Sequence, residues 1–173
     1  SRVFLALAFL GVMASLALVF LWVPNERQQG PVYRIFFFHV PLGLVSFLAF
    51  AVVFVASIAY LWKGRPAWDA VANAAAEVGV VFATLNLASG SIWARPIWGV
   101  WWTWDPRLTT MLILWLIYIG YLMLRAYAAD DARASRFAAV VGIIGFLDVP
   151  IVFLSNRLWR TQQPHPLQAP GTD

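Results

Sequence analysis

The chain of 173 residues has no cysteine and little charge, with 12 Lys or Arg and 8 Asp or Glu against 62% apolar residues. Without cysteine there is no disulfide, no thiolate metal site and no thiol through which a prosthetic group is covalently attached. About a quarter of residues are charged in an ordinary soluble domain. The 12% found here, with a mean hydropathy of +0.75, excludes that class. No run of basic residues occurs, so the pI of about 10 reflects scattered arginines in short connectors, and nucleic acid is not expected as a partner. No phosphate loop, metal-hydrolase motif or Ser/His/Asp set is present, so any energy from ATP must come from another subunit. No internal repeat is found, and with it goes the sign of the inverted halves that mark many secondary transporters.

What the chain does have is a series of long apolar runs. Residues 3–23 carry no charge over 21 positions, enough at 1.5 Å per residue to cross a ~30 Å hydrocarbon core. The run is longer than a signal-peptide core and no A-x-A-like site follows, so it is expected to be retained. Residues 35–62 form a second crossing, with Pro41 near its start predicting either a strong tilt or an interfacial turn before the span. Residues 70–94, 108–124 and 137–156 give three more. The connectors at 24–34, 63–69, 95–107 and 125–136 are too short for a further domain, and the tail at 157–173 is polar and Pro-rich. The expectation is one all-α integral membrane domain over residues 1–173. It is a bundle of about five transmembrane helices with an interfacial Trp-rich loop or helix between the third and fourth.

Lys and Arg in short loops ordinarily set orientation, but here they divide six against six. Arg2, Lys63, Arg65, Arg125, Arg133 and Arg136 lie on one side, and Arg27, Arg34, Arg95, Arg107, Arg157 and Arg160 on the other. Such a tie suggests that some of these arginines face an anion other than lipid headgroups. Span parity says more. His39 follows the first connector, the Trp-rich stretch is the third, and His165 follows the fifth span, so both histidines and five of the ten tryptophans share one face, with Arg34, Arg95 and Arg107 alongside. An aromatic belt would spread tryptophans over both interfaces. On a helix, Trp98, Trp101, Trp102 and Asp105 would fall at i, i+3, i+4 and i+7 and make one aromatic stripe in the interface plane. Indoles that stack on a flat ring, arginines that pair with carboxylates and histidines that ligate iron together suit haem.

The run Trp98-Gly-Val-Trp101-Trp102-Thr-Trp104-Asp105-Pro-Arg107-Leu-Thr109 resembles the W-G-x-W-W-x-W-D-x-R-L-T signature of the haem-handling proteins of cytochrome c maturation, the CcmC-type members of the tryptophan-rich WWD family. Tyr33-Arg34-Ile-Phe-Phe-Phe-His39-Val-Pro41 is similar to that family's Y-R-I-x-x-x-H-V-P segment. The resemblance implies a multi-pass protein of the bacterial cytoplasmic membrane. It would bind haem b without covalent attachment on the outer, periplasmic face and, with ABC-transporter-like subunits and a small membrane partner, pass it to a membrane-anchored haem chaperone of the CcmE type. It further implies His39 and His165 as axial ligands, Trp98, Trp101, Trp102, Trp104 and Asp105 (within a 93–109 motif) as the platform, and Arg34 and Arg107 as propionate partners. The protein would be an assembly factor, not an enzyme. Two features depart from the family. Members usually have six spans, and their second histidine follows W-[NR]-T-x-H, whereas here Trp159-Arg160-Thr161-Gln162 leads into Gln163 and the histidine is His165, between two prolines.

Two other functional classes stand beside this reading. A membrane oxidoreductase would cycle electrons through its haem, and a small-solute transporter would use the tryptophans as a gate. Glu77 and Asp148, the carboxylates within spans, are either functional or satisfied by Asn73, Thr84, Asn86 or a carbonyl freed by Pro150.

Overall fold

Hydrocarbon offers no hydrogen-bond partners, so apolar runs of this length satisfy their backbone groups internally, as helices. A computed structural model, describing residues 2–127 and 132–158, places six of them in order: α1 (Arg2–Ala17), α2 (Phe36–Lys63), α3 (Pro66–Trp98), α4 (Pro106–Tyr127), α5 (Ala132–Phe146) and α6 (Asp148–Leu158). A π-helical turn, Leu18–Trp22, extends α1, and a 3-10 turn, Pro31–Ile35, leads into α2, which continues through Pro41. Among the described residues there is no strand. Five stretches are long and apolar enough to cross a membrane: Arg2–Trp22, Pro31–Lys63, Pro66–Trp98, Pro106–Tyr127 and Ala132–Ser155.

Two differences from the expected spans have a local cause. The third span is longer at both ends than residues 70–94, because Pro66 starts the helix at its first position and Gly99, with φ of 76°, ends it. Only glycine enters that left-handed conformation without strain, and its N–H closes on the Arg95 carbonyl at 3.0 Å. The fifth span is two helices, not one. Pro150 has no N–H to offer the Phe146 carbonyl, and the chain turns at Leu147 before α6 begins at Asp148.

The core lies where α2, α3, α4 and the α5–α6 pair meet. The buried positions of α3 are almost all small, Ala72, Ala76, Gly79 and Ala83 among them, so α2 comes close enough to fill the space. Phe50 of α2 is fully buried, lies over Gly79 and stacks on Tyr118 of α4 with ring centroids 3.8 Å apart. Close packing through small residues is how helices associate where lipid is as apolar as the side chains. Tyr118 in turn donates its hydroxyl to the Gly142 carbonyl of α5 at 3.0 Å. At the end of the bundle formed by the start of α3, Arg125 pairs with Asp69 at 2.8 Å and also binds Ser135, tying α3, α4 and α5 together. By contrast, α1 has no buried residue. It is held at its far end, where Val19 is buried and Phe20 stacks on Phe38.

A methyl group at Gly79 would sit 2.4 Å from the Phe50 ring, and that ring is fixed by Tyr118. Gly79→Ala is expected to cost about 1 to 3 kcal/mol by overpacking, read as a fall of several degrees in thermal unfolding of the detergent-purified protein. An unchanged melting temperature would mean that α2 and α3 are not in this register.

Candidate functional site

His39 stands in the first turn of α2 and projects from it toward α3. Its Nδ1 is 3.0 Å from Ser89 Oγ. Ser89 donates its own proton to the Asn86 carbonyl at 3.0 Å, so its oxygen is left to accept from Nδ1–H. Asn86 Nδ2 donates to the His39 carbonyl at 2.8 Å; it lies 3.4 Å from Nδ1, too far to compete with Ser89. Ser89's bond to the Asn86 carbonyl favours one assignment of the ring protons. In that assignment Nδ1 carries the proton and Nε2 keeps its lone pair, for which no hydrogen-bond partner is found among the described residues. A ring nitrogen oriented through its opposite N–H is the usual state of a histidine prepared to bind metal.

Aromatic side chains wall the imidazole. Trp93 of α3 meets it edge-on at 5.7 Å and also touches Tyr33 and Phe36 edge-on, at 6.3 and 6.4 Å. Tyr33 and Phe36 stack on each other at 5.1 Å. The first connector docks here too, because Trp93 Nε1 donates to Gln29 Oε1 at 3.0 Å. Glu26 shapes that connector by accepting from the N–H groups of Gln28 and Gln29, at 2.8 and 2.6 Å.

The Trp-rich stretch does not form the expected stripe. Trp98 ends α3, Gly99 breaks the helix, and the chain is non-helical until Pro106, so Trp98, Trp101, Trp102 and Asp105 do not share a helical face. Trp101 and Trp104 are 59% and 76% exposed. Trp102 is half-buried and meets Trp104 edge-on at 5.9 Å. Asp105 is buried and caps α4: its Oδ1 accepts from the Arg107 N–H at 2.9 Å, its carbonyl accepts from the Thr109 N–H at 2.9 Å, and Pro106 follows at the first helical position.

Arg107, in the first turn of α4, is near enough to His39 for its charge to act on the imidazole. Arg34 is turned the other way, toward the first span. Its Nη2 donates to the Val23 carbonyl at 3.3 Å and its guanidinium lies 5.9 Å from the Phe20 ring centroid. Arg95 binds the Gly99 carbonyl. His39, the Trp loop and these arginines thus share one end of the bundle, as parity predicts; His165 lies outside the described residues. Seven buried side-chain polar atoms have no hydrogen-bond partner among the described residues, and four are at this end: Arg34 Nε, Trp102 Nε1, Thr103 Oγ1 and Thr109 Oγ1. Such groups are costly unless satisfied, and their clustering beside an unbonded imidazole nitrogen suits a site made for a polar-edged ligand.

The intramembrane carboxylates part company. Glu77 accepts from Asn73 Nδ2 at 2.9 Å, one of the structural partners expected for it, whereas Asp148 Oδ2 is buried without a partner. Asn86, another expected carboxylate partner, serves His39 instead.

A bundle of membrane-length helices with an oriented imidazole, an aromatic wall and cations at one end is a multi-pass membrane protein with a candidate ligand site at that end. The protein family described as Heme exporter protein C matches residues 1–169, and the chain belongs to it. It is 41% identical over 138 residues to Heme exporter protein C of Bradyrhizobium diazoefficiens, covering 80% of this chain and 52% of that protein. To Heme exporter protein C of Escherichia coli K12 it is 41% identical over 142 residues, 81% of this chain and 57% of the relative. To a putative cytochrome c biosynthesis ccmC-like mitochondrial protein of Marchantia polymorpha it is 35% identical over 154 residues, 88% of this chain and 65% of the relative. The chain therefore spans between half and two thirds of the length of these relatives.

The capping geometry separates the roles open to Asp105. Asp105→Ala should destabilise the start of α4 by about 1 kcal/mol, lowering the melting temperature, while Asp105→Asn, which keeps an acceptor at the cap, should restore it. Equal losses in both variants would show that the negative charge matters more than the cap.

Proposed function

We propose that this protein binds haem b non-covalently at the His39 end of its bundle and hands it on during c-type cytochrome assembly, as a transfer factor and not a catalyst. The observation that carries this reading is the imidazole of His39 held through Nδ1 by Ser89 at 3.0 Å, with Nε2 left without a partner among the described residues and so open to iron. Family membership supports the choice of haem over other metal-bearing ligands, and the aromatic wall of Tyr33, Phe36 and Trp93 suits a flat apolar ring. Arg107, beside His39, is suited to one propionate. Arg34, bound through Nη2 with its Nε unpartnered, would need to turn only its guanidinium to reach another. Charge-assisted contacts of this kind contribute about 1 to 3 kcal/mol each. Trp101 and Trp104 face outward from the loop, where with the half-buried Trp102 they form the surface on which haem or its recipient docks, and Trp98 borders it.

In this account the His39 end faces the periplasm from a bacterial cytoplasmic membrane. His165, in the tail, supplies the second axial ligand; its setting between two prolines suits a ligand that must release when haem passes to a membrane-anchored chaperone of the CcmE type. ABC-transporter-like subunits and a small membrane protein complete the assembly.

The test is spectroscopic. His39→Ala should lower haem content and shift the Soret band of the purified protein, whereas full occupancy with an unchanged band would remove His39 as the ligand. Ser89→Ala leaves the imidazole in place but frees its Nδ1 and should weaken haem affinity by about 10- to 100-fold. An affinity equal to that of the unsubstituted protein would show that the hydrogen bond does not prepare the ligand.

A further inference from the structure

Glu77 is not among the residues gathered around His39. It lies about 16 Å along α3 from Pro66 at 1.5 Å per residue, well inside the span Pro66–Trp98, and its side chain is exposed on the outside of the bundle. Carboxylates within a membrane normally face a bundle interior or a water-filled cavity and are paired there. Here Asn73 supplies a single hydrogen bond, to Oε1. Beside the carboxylate a cleft of about 350 Å³ opens between α3 and α4, lined by Asn73, Glu77, Leu122, Arg125 and Ala126. The charges around it do not balance. Arg125 is neutralised by Asp69 at 2.8 Å, so the carboxylate of Glu77 leaves the cleft with a net negative charge. Along the same exposed side of α3, Ala70 and Ala74 are small, which lets another backbone approach closely.

We propose that this face of α3 docks a transmembrane helix of a different membrane subunit, and that this helix presents a Lys or Arg side chain to Glu77. The charge of the cleft calls for a cation, the depth calls for one carried within a span, and the alanines call for a helix. A lipid headgroup does not fit the depth, because Glu77 is about 12 Å further along α3 than Asp69, which pairs with Arg125 near the ends of their helices. A second copy of this chain does not fit the charge. Its spans carry their basic residues at the ends, and Arg125, the one at this cleft, is already held by Asp69 and Ser135.

The experiment places the photo-crosslinker p-benzoylphenylalanine at position 74 of the full chain in native membranes and identifies the adduct by mass spectrometry. The expected product joins position 74 to a transmembrane helix of another protein, with a Lys or Arg within about two turns of the attachment point. Its yield should fall by about 3- to 10-fold in Glu77→Gln and recover when Glu77→Lys is combined with Lys or Arg→Glu in the partner. A crosslinker at Leu48, exposed on α2, serves as a control whose adducts should not respond to Glu77→Gln. Haem content should be equal in Glu77→Gln and the unsubstituted protein, so that failure here is distinct from failure of the haem site. Adducts with lipid alone, with another segment of the same polypeptide, with a second copy of it, or with a helix lacking a basic residue would overturn the proposal, as would no adduct or a yield indifferent to Glu77→Gln.

Discussion

Everything at the His39 end depends on how closely α2 and α3 approach each other. Three glycines mark the contact, and a methyl group at each would crowd a side chain of the facing helix, most severely at Gly79. Gly43 would meet Asn86 Nδ2 at 3.0 Å, Gly79 the Phe50 ring at 2.4 Å and Gly90 the His39 ring at 3.0 Å. The residue numbers of each pair add to the same total, as they must for two antiparallel helices in a single register. The packing that buries Phe50 in the core is therefore the same packing that seats His39 against Ser89. A core contact and a ligand site usually have separate determinants, but here one helix crossing sets both. The Asn86 bond to the His39 carbonyl reinforces that register, because it joins a side chain of one helix to the backbone of the other.

The two ends of the bundle then serve different purposes. One end is closed by an ion pair and a serine that link α3, α4 and α5, with the partners inside the chain. The other gathers an oriented imidazole, two exposed indoles, cations and most of the buried polar atoms that lack partners. Four of the seven buried polar atoms without a partner among the described residues lie at the second end, while at the first Arg125 is paired through Nη2 and only its Nε is left unpartnered. The non-helical loop between α3 and α4 belongs with the second purpose. Gly99 and the Asp105–Pro106 cap hold the ends of two helices, which leaves the tryptophans between them free of helical spacing and able to present their faces.

Much of this was legible in the sequence, and the failures have identifiable causes. The five membrane-length stretches follow from apolar length alone, and the shared end of His39 and the Trp loop follows from counting crossings. The aromatic stripe failed because helical spacing was applied through Gly99, although a glycine after the last helical turn and an Asp-Pro pair before the next helix are stop and start signals in their own right. The break at Leu147 was signalled by Pro150 but hidden by the continuous apolar run around it. Ser89 and Asn86 carried no local signal. Helices in lipid are apolar nearly all round, so periodicity does not show which face meets a neighbour, and a pair 50 residues apart is visible only once the helices are packed. Trp93 was counted with the loop, yet it stands on α3 and faces His39.

The central claim is that the His39 imidazole, held by Ser89, ligates haem iron through Nε2. Its most direct test is chemical rescue of a His39→Gly variant purified in detergent and titrated with imidazole in the presence of haem. The account predicts weak, displaced Soret absorption without imidazole and a saturable return to the band of the unsubstituted protein as imidazole fills the place of the missing ring. A variant that binds haem with the original spectrum before imidazole is added, or that imidazole does not restore, would contradict it.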